Sequence, residues 1–311
     1  MFKWNMIMDK SKITKQNGNI AFEEEAHIYY DVTMPERKFV SVTTLIGSFT
    51  QPFDKEFWSA YKALEKLLPK DEWAIEKKSL LNTKKFDKVL LELHDIKEDD
   101  FNREQQAILD AWDEENRNSC ERGTKIHADL ENSMYKKRKN IDLSKYQIGG
   151  KFECIKDRTE LDLEYGVYPE YLIHRISPDG KLCLAGQIDL LVKKGNKLVI
   201  GDYKTNKKIE IKSFYDSKSR SSVKMKYPLN TLDDTNYWHY TLQLSTYAWM
   251  MQKYNPEFEI EDLVMIHFDH QDNMTVYHLP YLKDEVIKML SFYKKEKVLA
   301  ENKRKRQRIE Y

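Results

Sequence analysis

At 311 residues the chain has room for one large domain, or for a core carrying a substantial helical insertion. Its 52 basic and 51 acidic residues leave a formal net charge of +1, which neither indicates nor excludes nucleic acid, because binding depends on where charge clusters. No apolar run approaches the roughly 20 residues that cross a bilayer, so no membrane-spanning helix is expected.

Met1–Lys10 lacks an apolar core and cleavage site for secretion, and is too poor in Arg and Ser for a transit peptide. Residues 20–46 interleave polar with β-branched and aromatic side chains (Ile28, Tyr29, Tyr30, Phe39, Val40, Val42). This predicts a short β-hairpin turning at Met34-Pro35-Glu36-Arg37. A helix start follows, with Ser41, Thr43 or Thr44 as its N-cap, and such exposed N–H groups also suit a DNA phosphate. From Phe53 to about Met134 the period turns helical. Trp58, Tyr61, Ala63, Leu64, Leu67 and Leu68 recur at three and four, Pro69 interrupts, and Trp73, Leu80, Leu81, Phe86, Val89, Leu90 and Leu93 continue. The run Phe101–Trp112 leads into a helix holding His127.

Tyr165–Arg175, Leu182–Val192 and Lys197–Tyr203 read as three consecutive strands, joined at Pro178-Asp179-Gly180 and at Lys193–Asn196. Thr205–Tyr237 is long and polar, with early cations (Lys207, Lys208, Lys212, Lys218, Arg220, Lys224, Lys226) among Phe214, Tyr215 and Tyr227. That mixture suits single-stranded nucleic acid and equally a solvated loop. A helix at Asn236–Tyr254 aligns Tyr240, Gln243 and Tyr247 on one stripe. Strands Leu263–Phe268 and Thr275–Leu279 follow, then a helix from Leu282 to about Asn302. The closing run Lys303–Arg308 reads as a phosphate grip, an import signal, or a helix end whose cations complement the macrodipole.

The chemistry concentrates in Gly186-Gln187-Ile188-Asp189 and Gly201-Asp202-Tyr203-Lys204. Alternation puts Asp202 and Lys204 on one strand face, and Asp189 reaches them if the hairpin register allows. Carboxylates gathered this way repel one another unless a cation intervenes, and hard oxygen ligands favour Mg²⁺ or Mn²⁺. A lysine beside such a cation can steer a water or stabilise charge on a phosphate.

Asp189 with Asp202-Tyr203-Lys204 resembles the PD-(D/E)XK nuclease signature. Gly123-Thr124-Lys125-Ile126-His127, followed by Leu130 and Glu131, resembles the N-terminal helix motif of the RecB-like branch. Gln243-Leu244-Ser245-Thr246-Tyr247 resembles its Q-x-x-x-Y helix, and Glu170 stands at the acidic position of the first core strand. These elements occur in the family's order. The likeness covers roughly residues 120–270, and more loosely Tyr30–Trp58, where the chain is similar to free-standing viral and phage nucleases and to the mitochondrial genome maintenance exonucleases.

The resemblance implies an α/β fold, a restriction-endonuclease-like core in which a mixed central sheet is flanked by helices. An N-terminal β-hairpin and helical cap are expected over residues 1–115, and the nuclease core with its basic C-terminal helix over 116–311. It implies Mg²⁺- or Mn²⁺-dependent hydrolysis of DNA phosphodiesters leaving 5′-phosphates. His127, Asp189, Asp202 and the Tyr203 carbonyl would hold the metal, and Glu131 would orient His127. Glu170 would hold a water or second metal, Lys204 would position the attacking water, and Gln243 and Tyr247 would steady Lys204 or the phosphate. An exonuclease on DNA ends or single strands is expected, acting in replication, recombination or repair with proteins of those processes. A structure-selective or single-strand endonuclease, and a non-catalytic DNA-binding subunit, are the alternatives. Cys120, Cys154 and Cys183 lie far apart, which fits reduced thiols in a bacterial or phage-infected cytoplasm. Relatives with an iron–sulfur cluster hold it on four cysteines, so no cluster is expected in a chain with 3. No Walker A motif is present, so no ATPase motor is expected.

Overall fold

A computed structural model describes residues 15–155, 163–216 and 221–309, which form two compact units. One is built from the chain up to Thr50 with Lys125–Phe214 and Ser222 onward, the other from Gln51–Thr124 and Tyr215–Ser221. The expectation for Met1–Lys10 lies outside the described residues. Among those residues no helix is long and apolar enough to cross a membrane.

The first unit begins with a three-stranded antiparallel sheet of β1 (Lys15–Asn17), β2 (Ile20–Glu23) and β3 (Ile28–Asp31). β2 and β3 turn at residues 24–27, where His27 adopts φ 52°, and β3 then runs into the expected hairpin turn, across which Tyr30 bridges Lys38 in antiparallel sense. Met34–Arg37 is a second turn, closed by Arg37 N donating to Met34 O at 2.9 Å. The following β4 (Val40–Ser41) leaves the hairpin and joins the central sheet, because Val40 and Ser41 pair in parallel with Leu184 and Ala185. Ser41 caps α1 (Val42–Gly47), its hydroxyl accepting from Thr44 N at 3.0 Å.

The central sheet is mixed and six-stranded. Its centre is β5 (Gly166–Ile176), β6 (Cys183–Lys194) and β7 (Lys197–Lys204), the three consecutive strands expected from the sequence. Gly195, at φ 62°, starts the β6–β7 turn, a conformation that costs glycine nothing. β8 (Glu259–Phe268) lies parallel to β7, and β9 (Met274–His278) returns antiparallel at the edge. On one face, α1, α6 (Asn236–Tyr254) and α7 (Lys283–Ile309) bury Leu45, Leu242, Leu244, Met250, Met251 and Met289 against Ile188, Leu191 and Ile200. On the other, Leu130 and Met134 of α5 (Glu98–Lys137) join Tyr146 and Phe152 over Leu190, Val192 and Val199. The sheet is therefore covered on both sides, which is why its strands read as apolar runs rather than strict alternation. The α7 backbone stays helical through the basic run, past the expected end at Asn302.

The second unit is helical. α2 (Lys55–Leu67) starts under an Asp54 cap that accepts from Phe57 N at 2.9 Å. Pro69 breaks the chain before α3 (Lys70–Thr83), and α4 (Val89–Leu93) precedes the start of α5. Phe57, Tyr61, Leu64, Trp73, Leu80, Phe101 and Ile108 make its core.

His94 joins the helices of that unit through two carboxylates, with Nδ1 2.5 Å from Glu72 Oε2 and Nε2 3.2 Å from Glu76 Oε1. Burial opposes its charge, but the hydrogen bonds to Glu72 and Glu76 outweigh burial and raise its pKa. A raised folded-state pKa contributes stability that is complete below the ordinary histidine value and lost as pH rises through the folded value. His94→Gln should therefore lower the melting temperature more at about pH 5.5 than at about pH 9. An equal loss at both pH values would show that the imidazolium contributes nothing here.

Candidate active site

β6 changes neighbours part-way along one edge. Its start pairs with β4 through Leu184 and Ala185, and its end pairs with β7 only from Leu190↔Gly201 onward. Asp189 stands where β7 departs. Its Oδ2 accepts from Tyr203 N at 2.8 Å, replacing the missing strand partner with a carboxylate.

The opposite edge of β6 carries Glu170. Pro169↔Leu190 and Tyr171↔Ile188 flank it, so Glu170 faces Asp189 directly. Both strands reverse their pleat at this point. Tyr168 and then Tyr171 and Ile173 face the same core, while Ile188 faces that core and Leu190 and Val192 face the other. Glu170 itself adopts φ 51°, a left-handed conformation that costs a non-glycine residue on the order of 1–3 kcal/mol. Gln187 donates its side-chain amide to Glu170 Oε2. From α5, His127 Nδ1 lies 3.4 Å from Glu170 Oε1 and 3.5 Å from Asp189 Oδ2, and its Nε2 lies 3.1 Å from the Tyr203 carbonyl.

On β7, Asp202 and Lys204 share the face toward α6, as alternation requires. Lys204 Nζ is 2.5 Å from Asp202 Oδ2, and Gln243 Nε2 donates to Asp202 Oδ1 at 3.0 Å. The Gln243 amide also meets the Tyr247 hydroxyl at 3.4 Å. Lys204 Nζ lies 4.6 Å from the centre of the Tyr240 ring, a cation–π contact, and the Tyr240 hydroxyl donates to the Asn206 side chain. The Tyr247 ring lies against β6, where a Cβ at Gly186 would come within 2.4 Å of its Cε1.

The electrostatics show a centre short of positive charge. Burial above all raises Asp189, and burial pushes Asp202 up to about 6 against the pull of Lys204. Burial disfavours charge on His127, yet Asp189 and then Glu170 outweigh it and push the imidazole up to about 9. Burial likewise opposes charge on Lys204, and Asp202 and Asp189 override it to raise its pKa. Acids drawn toward protonation around an imidazole drawn toward imidazolium mark a place where a cation would relieve the repulsion. One donor atom each from His127, Glu170 and Asp189 lies within 4.8 Å of the others, so these three can hold a metal ion.

The expected residues His127, Glu170, Asp189, Asp202, Tyr203, Lys204, Gln243 and Tyr247 thus come together. Among the expected ligands, Glu170 joins His127 and Asp189 in the donor cluster, Asp202 is engaged by Lys204 and Gln243, and the Tyr203 carbonyl faces His127 Nε2. The cause is geometric. Glu170 is the cross-strand neighbour of Asp189, whereas the pleat turns Asp202 toward α6. Glu131, expected to orient His127, is hydrogen-bonded to Tyr135 one turn along. The sequence reading placed Tyr240 on the stripe with Gln243 and Tyr247 and missed its contact with Lys204. Its position three residues before Gln243 was the available signal.

A family model described as the PD-(D/E)XK nuclease superfamily matches residues 84–310. No curated protein sequence matches the chain. Among solved structures, that of SSO0001 aligns over 84% of this chain and 76% of its own at 13% identity and TM-score 0.32. A candidate exonuclease from Eubacterium rectale aligns over 43% of this chain and 45% of its own at 12% identity and TM-score 0.29. At such scores neither likeness bears on the argument.

The close approach of Tyr247 to Gly186 generates a prediction. Gly186→Ala should destabilise the protein by about 1–3 kcal/mol, the usual cost of overpacking a filled site. Denaturant melts measure this, and unchanged stability would mean that Tyr247 is free to swing away from β6.

Proposed function

The chain belongs to the PD-(D/E)XK nuclease superfamily, and from that premise we propose that it is a Mg²⁺- or Mn²⁺-dependent deoxyribonuclease working from DNA ends. The observation that carries this reading is the convergence of His127, Glu170 and Asp189 beside the Asp202–Lys204 pair. An oxygen-rich donor set with one imidazole fits a hard divalent cation, held by His127 Nδ1 and the Glu170 and Asp189 carboxylates. Bound there, the cation supplies Lewis acidity toward a phosphate oxygen and acidifies the attacking water.

The remaining roles fall to groups of this chain. Lys204, buried and held in its charged form, offsets negative charge that develops on the phosphate and orients the water. Asp202 anchors Lys204, and Gln243 and Tyr247 anchor Asp202. Tyr240 closes the other side of the ammonium. The Tyr203 carbonyl fixes the His127 ring. The preference for ends rests on resemblance to free-standing exonucleases of the RecB-like branch, and places the enzyme in DNA replication, recombination or repair.

Asp189→Ala, Asp202→Ala and Lys204→Ala should each lower cleavage by at least about 10²-fold, with DNA affinity largely kept, since most phosphate contacts lie elsewhere. Purified protein with Mn²⁺ or Mg²⁺ and end-labelled DNA provides the measurement. Substantial turnover by any of the three variants would place the active centre somewhere else.

The same assay tests the choice of ends. Linear DNA should yield mono- and short oligonucleotides within minutes while closed circles of the same strandedness survive. Rapid cleavage of single-stranded circles would instead make the enzyme an endonuclease. Tight binding without cleavage of either form would make it a non-catalytic subunit.

A further inference from the structure

Between Lys204 and α6, residues Thr205–Phe214 form a strap fastened along its length. Tyr240 donates to the Asn206 side chain, and His267 Nε2 lies 2.6 Å from Asn206 O. Asn236, at the start of α6, holds the strap twice: its Oδ1 accepts from Glu210 N at 2.8 Å and its Nδ2 donates to Lys208 O at 2.9 Å. Trp238 Nε1 donates to Ile211 O at 3.1 Å, and Ser213 N donates to Asp233 Oδ2 at 3.1 Å. A loop pinned so often holds its outward side chains in place.

Those side chains include Lys207, Lys208 and Lys212, all exposed, and Phe214, which is 62% exposed. Lys208 is paired with Glu210 at 2.5 Å in a solvated ion pair that a phosphate can exchange. Farther along the polar stretch, Lys226 and Tyr227 are exposed as well. Lys224 is paired with Asp233, and the Tyr227 ring sits 5.3 Å from that of Phe292. Thr205 follows Lys204 directly in the chain, so the strap starts at the site itself.

We propose that the Thr205–Phe214 strap is a track for single-stranded DNA adjoining the scissile phosphate, with Lys207 and Lys212 meeting phosphates and Phe214 stacking on a base. The proposal rests on the nuclease reading above. Duplex DNA keeps its base faces stacked on one another, whereas a single strand offers them to an exposed ring. The lysines supply phosphate contacts without sequence preference, as a track for arbitrary sequence requires.

Fluorescence anisotropy of the full chain with labelled oligothymidylate and with a blunt duplex, in EDTA, tests the track. Phe214→Ala should weaken single-strand binding about tenfold and leave duplex binding unchanged. Lys207→Ala with Lys212→Ala should make the dependence of log K on log salt shallower by about 1.4, at about 0.7 per phosphate contact on single strands. Melting curves confirm that the variants are folded. Equal losses on duplex and single strand in Phe214→Ala, or an unchanged salt slope in the lysine variant, would overturn the track. Cleavage of single-stranded DNA by the wild-type protein separates this failure from that of the nuclease reading. No wild-type cleavage with Mn²⁺ sinks the latter, whereas wild-type cleavage with unaltered binding in the variants sinks the track alone.

Discussion

Two carboxylates that face each other across a β-ladder repel, and the geometry around Glu170 and Asp189 is built to hold them there. Like charges directly opposite one another destabilise a sheet. Here the cost is compounded by burial and by the left-handed backbone of Glu170. Hydrogen bonds from Gln187 to Glu170 and from Tyr203 N to Asp189 offset part of it, and His127 lies against both. The pleat reversal in both strands is the structural consequence. It brings the two acids to the point where β6 exchanges one neighbour for another, the place in an open sheet where a crevice forms. Strain and repulsion at one point in an otherwise regular ladder are what a cation-binding centre requires and what a purely structural sheet would discard.

The rest of the site depends on how β7 leaves that ladder. Because β7 stops pairing with β6 at Gly201 while remaining paired with β8 as far as Lys204, its last residues have a strand partner on one side only, with the Asp189 carboxylate taking the other. The pleat then presents Asp202 and Lys204 to α6, and α6 supplies the second support. Tyr247 lies against Gly186, Gln243 bridges Tyr247 to Asp202, and Asp202 grips Lys204. Each link fixes the next. A side chain at Gly186 would disturb the lysine through three intermediate residues, although Gly186 touches no reacting group.

Much of this was legible in the sequence because the relevant periods are short. Alternation alone placed Asp202 and Lys204 on one face, and a stripe of 3.6 periodicity placed Gln243 and Tyr247 together. The limits of α6, Asn236 and Tyr254, emerged as expected. What could not be read was the interruption of a period. The run Ile188–Val192 looks like one buried strand, and nothing in its composition shows that the pleat reverses within it. The same applies to Glu170, whose positive φ has no marker in its side chain. The N-terminal sheet was legible only in part, for a related reason: the turn at Met34–Arg37 is there as expected, but the strands around it are not the whole of it. Pro35 is a strong turn signal, but residues 24–27 turn without one, and Val40 and Ser41 are claimed by a parallel partner more than 140 positions away (Leu184 and Ala185).

The near-zero net charge gains meaning from this arrangement. A chain with 52 basic and 51 acidic residues has no large net charge to attract a polyanion, so attraction depends on where its cations stand. In the described sheet unit, positive charge stands close to the acids: Lys204 inside the site, with Lys207, Lys208 and Lys212 on the strap that leaves it. The arrangement favours contact over steering. On the proposed track, dwell time on a strand would rest on the side chains that touch it, and much of the affinity would belong to the nucleic acid nearest the scissile bond. A chain of higher positive charge would bind any duplex along its length and gain less from a site placed at the open end of a strand.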